Sequence, residues 1–170
     1  MSGGLEQLYQ QVILDHSKFP HGRGLPAGEG GITAVAVAPH PGCGISHQVN
    51  PTCGDEITLR VDVSRTGGVP VVQDVRWDGQ GCSISQASAS VLRDLVVGQD
   101  LSTVDRLSAT FHDLMGSRGA GLHDEDAEES LGDAVAFTGV SKFPARIKCA
   151  LLGWAALSDA LILSGAREDA

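Results

Sequence analysis

Three short segments of the chain each place one cysteine where metal or sulfur chemistry could occur. Cys53 lies in NPTCGDEI, a turn rich in Pro and Gly that leads into strand-like residues. Cys82 lies between a strand-like and a helical segment, and Cys149 lies near the start of the last helical segment. A helix start beside Cys82 would favour its thiolate, and the thiolate is both the metal ligand and the nucleophile.

The residues alone leave several interpretations of this cysteine set open. No two of the cysteines have the CxxC spacing of zinc ribbons or ferredoxins, so three buried structural cysteines fit the spacing equally well. Asp55 would then be only a turn-forming residue. Alternatively, its carboxylate supplies a fourth ligand, and one Asp with three Cys suits either tetrahedral Zn²⁺ or a small iron–sulfur cluster.

Composition and charge limit the classes of protein in which this chemistry can occur. The 170 residues are 42% hydrophobic, which is enough for one domain with a core. A net charge of −9 argues against nucleic acid or an anionic membrane as the main partner. The N-terminal residues lack the apolar core of a signal peptide, and the most apolar stretch, 149–163, is too short to span a bilayer. We therefore expect a cytoplasmic protein, in which four cysteines favour metal or sulfur chemistry over disulfides.

The spacing of apolar residues predicts one α+β domain over residues 1–170. An N-terminal helix is expected to bury one face, formed by Leu5, Leu8, Tyr9, Val12 and Ile13. Short strands are predicted at 32–38 and 45–50, followed by a hairpin of strands at 56–63 and 71–79. The first hairpin strand should point Ile57, Leu59, Val61 and Val63 inward. The elements thus form a small three-stranded antiparallel sheet.

Helices are expected to follow the sheet and to pack on it. They are predicted at 83–98, at 102–115 with Ser102 as N-cap, and at 143–165 with Pro144 in the first turn. Residues 116–130 are predicted to be a polar acidic loop. The first and the last of these helices would place Cys82 and Cys149 at helix starts.

Together, the segments NPTCGDEI, GQGCSISQASAS and VSKFPARIKCALLGW resemble the U-type iron–sulfur assembly scaffold family. The three motifs occur in the family's order, and the resemblance covers most of the chain. The resemblance implies the α+β fold of that family and metal ligands at Cys53, Asp55, Cys82 and Cys149. It further implies that Cys53 accepts sulfur, and that Arg146 contacts the metal-site thiolates or a desulfurase.

Two features make the chain resemble the SufU branch of this family more than the IscU branch. IscU-like scaffolds carry a His directly before the third cysteine and an LPPVK-like chaperone site, whereas this chain has Lys148 in KFPARIKC. SufU-like chains carry an insertion between the second and third cysteines, and residues 101–130 fit it.

The SufU resemblance implies a zinc-dependent sulfur acceptor that works with a SUF-type cysteine desulfurase and downstream SUF assembly proteins. In that activity the desulfurase docks, supplies a ligand of its own to zinc and releases Cys53, whose thiolate then attacks the desulfurase persulfide. The alternative is a scaffold that holds iron or a [2Fe–2S] cluster on the same four ligands. A purely structural zinc domain is a third interpretation.

One region departs from the family pattern. Residues 27–44 are longer than the corresponding segment of the family and contain Cys43, which matches no family ligand. The departure weakens the prediction of a strand at 32–38. We expect Cys43 to be a bystander thiol in a flexible loop.

Overall fold

The computed structural model describes residues 2–25 and 41–167. Within these ranges a helix precedes a three-stranded sheet, and helices follow it. The elements are α1 (Ser2–Lys18), β1 (Cys43–Asn50), β2 (Asp55–Thr66), β3 (Val69–Gln80), α2 (Ser83–Val96), α3 (Leu101–Met115), α4 (Glu125–Ser130), a 3₁₀ segment (Gly132–Lys142) and α5 (Pro144–Leu163). This order confirms the α+β architecture predicted from the sequence.

The sheet is antiparallel throughout, in the order β1-β2-β3. Its first two strands form a hairpin whose last pair joins Asn50 to Asp55, so the NPTCGD motif is the hairpin tip. Alternation along β2 buries Ile57, Leu59 and Val61, as predicted, because their side chains point to the helical face. Val63 is only partly buried, since the pairing of β2 with β3 shifts register at this residue.

Helices cover one face of the sheet. Helix α5 packs on β1 and β2 and lies beside α2, while α1 packs on α2 and on the 3₁₀ segment. A buried aromatic group joins these layers: the Phe111 ring stacks on Trp154 at 5.0 Å and meets Phe137 edge-on at 5.8 Å. The packing of α5 on β1 and β2 fixes the position of Cys149 relative to the hairpin tip.

Gly44 allows β1 to approach α5 closely. A Cβ built on Gly44 would collide with the carbonyl oxygen of Ala160 and lie 2.8 Å from the backbone nitrogen of Ser164. We expect Gly44→Ala to lower the free energy of unfolding by about 2–3 kcal/mol, because both colliding atoms belong to the backbone. Urea unfolding would measure this loss, with Gly139→Ala as the control, since a Cβ there meets nothing within 4 Å. Equal midpoints for the two variants would contradict the close approach.

Several local predictions are wrong. Helix α3 is capped by Asp100, whose side chain accepts a hydrogen bond from the backbone nitrogen of Thr103 at 2.8 Å; Ser102 lies inside the helix. Residues 116–130, predicted to be a loop, include α4, which Asp124 caps. In both helices a carboxylate accepts hydrogen bonds from backbone N–H groups of the first turn, which have no partner within the helix.

The N-terminal helix buries less of its apolar face than predicted. Ile13 is buried, but Leu5 and Leu8 are 50% and 58% exposed, because only the C-terminal part of the predicted face is covered. The predicted strand at 32–38 lies outside the described residues.

The position expected for Cys43 is also wrong. It is the first residue of β1 and only 1% exposed, so it lies in the sheet and not in a flexible loop.

Candidate metal centre

The hairpin between β1 and β2 presents Cys53 to solvent and directs Asp55 inward. The backbone nitrogen of Gly54 donates to the carbonyl of Asn50 at 2.8 Å, and that of Thr52 donates to the Asn50 side chain at 3.1 Å. Gly54 has φ +78°, a left-handed conformation that suits glycine. The turn therefore leaves Cys53 exposed, while Asp55, the first residue of β2, is only 4% exposed.

Cys82 meets Asp55 at the start of α2. It occupies the N-cap position, with φ −69° and ψ 168°. Its backbone nitrogen donates to Asp55 Oδ1 at 3.2 Å, and its thiol lies 3.5 Å from Asp55 Oδ2. The carboxylate thus contacts both the backbone and the side chain of the second cysteine.

A polar brace, formed by Arg23 and Gln86, holds the segment that precedes Cys82. The Arg23 guanidinium donates to Gln86 Oε1 at 2.8 Å and to the carbonyl of Gly79 at 3.1 Å. Gln86 Nε2 in turn donates to the carbonyl of Gly81 at 2.9 Å. No sequence motif marks this brace, because Arg23 lies 59 positions before the cysteine that it helps to position (82 − 23).

Cys149 supplies the buried side of the site. It lies in the second turn of α5 and is 2% exposed. Its sulfur is 3.7 Å from the Cys53 sulfur and 3.6 Å from the carbonyl of Ala145, one helical turn earlier. Packing of α5 on the sheet therefore joins cysteines 96 positions apart in the chain.

The separations between these atoms suit a tetrahedral metal ion. Ligand atoms of Cys53, Asp55 and Cys149 all lie within 4.8 Å of one another. Zinc bond lengths imply about 3.8 Å between two sulfur ligands and about 3.6 Å between a sulfur and an oxygen ligand. The Cys53–Cys149 distance of 3.7 Å and the Cys82–Asp55 distance of 3.5 Å match these values. The Cys82 sulfur is not part of this group of mutually close ligand atoms, and its contact with the group is the one to Asp55 Oδ2.

The site shifts the pKa values of Asp55 and of the buried Cys149 in opposite directions. Burial raises the pKa of Asp55, but hydrogen bonds from Cys149, Cys53 and the backbone of Cys82 outweigh it, so this pKa lies below its ordinary value. Burial also raises the pKa of Cys149, and the adjacent Asp55 carboxylate raises it further. Without metal the carboxylate is ionised at neutral pH and Cys149 keeps its proton, so a metal ion must displace that proton.

Two further residues singled out in the sequence lie at the surface of α5. Arg146 is exposed, and its side chain makes no hydrogen bond or ion pair with any residue in the described ranges. Lys148, directly before Cys149, is exposed as well. Neither side chain is placed among the candidate ligands.

Of the described helices, none is both long and apolar enough to cross a membrane.

Gly81 leaves room for the Asp55 carboxylate. A Cβ on Gly81 would contact Ser85 Oγ and lie 2.9 Å from Asp55 Oδ1. We expect Gly81→Ala to push the carboxylate aside and to weaken zinc binding by at least about tenfold. Competition with a chromophoric chelator would measure the change, with Gly116→Ala as the control, because a Cβ there makes only ordinary contacts. Unchanged affinity in Gly81→Ala would contradict this role for Gly81.

Comparison with known proteins decides the family. Residues 8–150 match the NifU-like N terminal domain family. The chain belongs to this family. The match confirms the resemblance drawn from the three cysteine segments, all of which fall within the matched residues or extend just beyond them.

Relatives of this NifU-like chain carry two kinds of name. Zinc-dependent sulfurtransferase SufU of Bacillus subtilis is 38% identical over 92% of this chain and 90% of its own length. The iron–sulfur cluster assembly scaffold protein IscU of Streptococcus pyogenes is 35% identical over 92% of this chain and 84% of its own. A crystal structure described as a SUF-system scaffold protein, from Fervidobacterium islandicum AW-1, is 28% identical with a TM-score of 0.63, covering 88% of this chain and 93% of the other. The structural match confirms the fold.

Proposed function

We propose that this protein is a zinc-dependent sulfur acceptor that takes persulfide sulfur from a SUF-type cysteine desulfurase and passes it on for iron–sulfur cluster assembly. The observation that carries the proposal is the exposed Cys53 at a hairpin tip, with its sulfur 3.7 Å from that of the buried Cys149. A thiol so placed can reach a partner protein and a metal site in turn.

The zinc ligands in this proposal are Cys53, Asp55, Cys82 and Cys149. The observed separations support Cys53, Asp55 and Cys149, and the Cys82 thiol adjoins this group at 3.5 Å from Asp55 Oδ2. Bound zinc would keep the thiols deprotonated and restrain their nucleophilicity until one ligand is released. Cys53 is the ligand suited to release, because it is exposed whereas Asp55 and Cys149 are buried.

Sulfur transfer requires only thiol exchange at Cys53. Its thiolate attacks the outer sulfur of the desulfurase persulfide and forms a new S–S bond. The S–S bond within the desulfurase breaks, and the desulfurase cysteine leaves as a thiolate. The product is a Cys53 persulfide, and no net oxidation or reduction occurs. Asp55 and the remaining cysteines hold the hairpin tip while Cys53 reacts.

Two sequence features and one relative support the sulfurtransferase assignment. Lys148 occupies the position where IscU-like scaffolds carry a histidine, and residues 101–130, which contain α3 and α4, fit the SufU-type insertion. The Bacillus subtilis relative is named a zinc-dependent sulfurtransferase. We place the activity in the cytoplasm, with SUF assembly proteins as the downstream recipients.

A scaffold for a [2Fe–2S] cluster is the second candidate function. It is favoured by the scaffold names of the Streptococcus pyogenes relative and the Fervidobacterium structure. The same thiolates and carboxylate could hold iron. Stoichiometric zinc in a colourless protein would favour sulfur transfer or a purely structural zinc site, whereas a brown, iron-containing protein would favour the scaffold.

Desulfurase turnover tests the proposed function. Alanine formation from cysteine by a SUF-type desulfurase should rise several-fold when the zinc-loaded protein is added, because a new acceptor removes the persulfide sulfur. The comparison is made before any reducing agent is present, so that small thiols do not replace the acceptor. Identical alanine formation with and without the protein would contradict the proposal.

The carboxylate ligand can be tested separately from the thiolates. We expect Asp55→Ala to retain zinc, since three thiolates dominate the affinity for this ion, but to lose it at least about tenfold faster. Stopped-flow transfer of zinc to a chromophoric chelator would give the rate. Cys43→Ala should lose zinc at the parent's rate, because Cys43 is not in the group of candidate zinc ligands. Equal rates in Asp55→Ala and the parent would exclude Asp55 as a ligand.

A further inference from the structure

A second set of metal-ligating side chains lies outside the cysteine site. This histidine cluster consists of His16, near the end of α1, His21, just beyond it, and Asp94 in the last turn of α2. One imidazole nitrogen from each histidine and one Asp94 oxygen all lie within 4.8 Å of one another. Sulfur transfer at Cys53 uses none of these residues.

His16 is oriented with one ring nitrogen toward the cluster. Its side chain is 7% exposed, and Nε2 lies 2.9 Å from Asp133 Oδ2. A carboxylate only accepts hydrogen bonds, so Nε2 carries the proton, and in the neutral ring Nδ1 carries a lone pair. Nδ1 lies 2.7 Å from the Ser90 hydroxyl, which donates to it. A carboxylate behind a histidine in this way is the usual outer partner of a metal-binding imidazole.

His21 and Asp94 complete the cluster on its solvent side. His21 Nδ1 lies 2.6 Å from Asp94 Oδ2, and the two imidazole rings are 4.9 Å apart at 61°. The backbone nitrogen of His21 donates to Ser90 Oγ at 2.8 Å, which holds His21 against α2. The side chains of His21 and Asp94 are 51% and 40% exposed, so they can adjust around an ion while water supplies further ligands.

We propose that the histidine cluster is a second metal site, which binds one divalent transition-metal ion of the Zn²⁺, Co²⁺ and Ni²⁺ class. Its ligands are two imidazole nitrogens and one carboxylate oxygen, with water in the open positions. Imidazole suits these ions, whereas Mg²⁺ and Ca²⁺ prefer oxygen ligands throughout. On binding, the Ser90 hydroxyl gives up Nδ1 and donates instead to a carbonyl of the preceding helical turn. The site is weaker than the cysteine site because it lacks thiolates.

A competing explanation is that the cluster only joins α1 to α2 and the 3₁₀ segment by hydrogen bonds. The two explanations differ in their response to a metal ion. A metal site takes up one ion with the loss of the Ser90–His16 contact, while a hydrogen-bond network takes up none. The proposed sulfur transfer does not bear on this question.

Cobalt titration of the zinc-loaded protein tests the proposal. With one equivalent of Zn²⁺ in the cysteine site, added Co²⁺ should bind one further equivalent and give weak visible d–d bands without the intense near-ultraviolet bands of cobalt–thiolate bonds. His21→Gln and Asp94→Asn change exposed side chains, and each should weaken this binding at least about tenfold. Asp133→Asn should weaken it about 10–100-fold by removing the carboxylate behind His16.

His112→Gln is the matched control, because His112 lies on α3 outside the cluster and should leave cobalt binding unchanged. Thermal melts of each variant without cobalt establish that the variants are folded. Absence of a second equivalent in the folded parent would overturn the proposal. Undiminished binding in both His21→Gln and Asp94→Asn would overturn it as well.

Discussion

Replacing Cys53 by serine is expected to abolish the stimulation of desulfurase turnover. The exposed thiolate at the hairpin tip is the nucleophile in this account, and a serine hydroxyl cannot take its place because it stays protonated at neutral pH. Alanine formation in the presence of Cys53→Ser should therefore equal that of the desulfurase alone. The measurement is initial alanine formation at several concentrations of the acceptor.

Two control variants distinguish the acceptance of sulfur by Cys53 from the binding of metal. Cys43→Ala should stimulate turnover like the parent; alanine is preferred to serine there because Cys43 is 1% exposed and a buried hydroxyl would need a partner. Asp55→Ala, which keeps Cys53, should still accept sulfur while it retains zinc. Full stimulation by Cys53→Ser, or its loss in folded Cys43→Ala, would show that the acceptor has been misassigned.

Removal of zinc is expected to lower the melting temperature by roughly 10 °C or more, because metal binding at the cysteine site ties the β1–β2 hairpin, α2 and α5 together. Cys53 lies at the hairpin tip, Cys82 at the N-cap of α2 and Cys149 in α5, so one ion would link three elements. Without the ion, the buried Cys149 keeps its proton beside the Asp55 carboxylate. Melts before and after verified chelation give the change.

A control must distinguish zinc loss from the cysteine site from zinc loss at the histidine cluster. His21→Gln should show the same fall in melting temperature as the parent, since its cysteine site is intact, and re-addition of Zn²⁺ should reverse the fall. An unchanged melting temperature after complete zinc loss would remove the structural role of the metal.

Local patterns were sufficient to predict much of the fold. The alternation of Ile57, Leu59 and Val61 marks a half-buried strand, and the chain reversal at NPTCGD marks the hairpin tip. Pro144 marks the start of α5. Such features depend on neighbouring residues, so they can be predicted without knowledge of the tertiary structure.

Features that depend on distant contacts could not be predicted in this way. Burial of Cys43 depends on α5 packing over β1, and the exposure of Leu5 and Leu8 depends on how far α2 and the 3₁₀ segment extend along α1. Spacing alone also left the candidate site ambiguous, because Cys53 and Cys149 meet only after the sheet and α5 have packed. It was the family resemblance, and not the spacing, that grouped the four candidate ligands.

Peptide mapping of the sulfur-loaded protein tests the central claim most directly. The zinc-loaded protein is incubated with the desulfurase and free cysteine, alkylated, digested and analysed by mass spectrometry. The account predicts an added mass of about 32 Da, one sulfur atom, on Cys53 and on none of Cys43, Cys82 and Cys149. Because no Lys or Arg separates Cys43 from Cys53, fragmentation of their shared tryptic peptide assigns the sulfur to one of the two. Added sulfur on another cysteine, or none on Cys53 under conditions in which desulfurase turnover is stimulated, would contradict it.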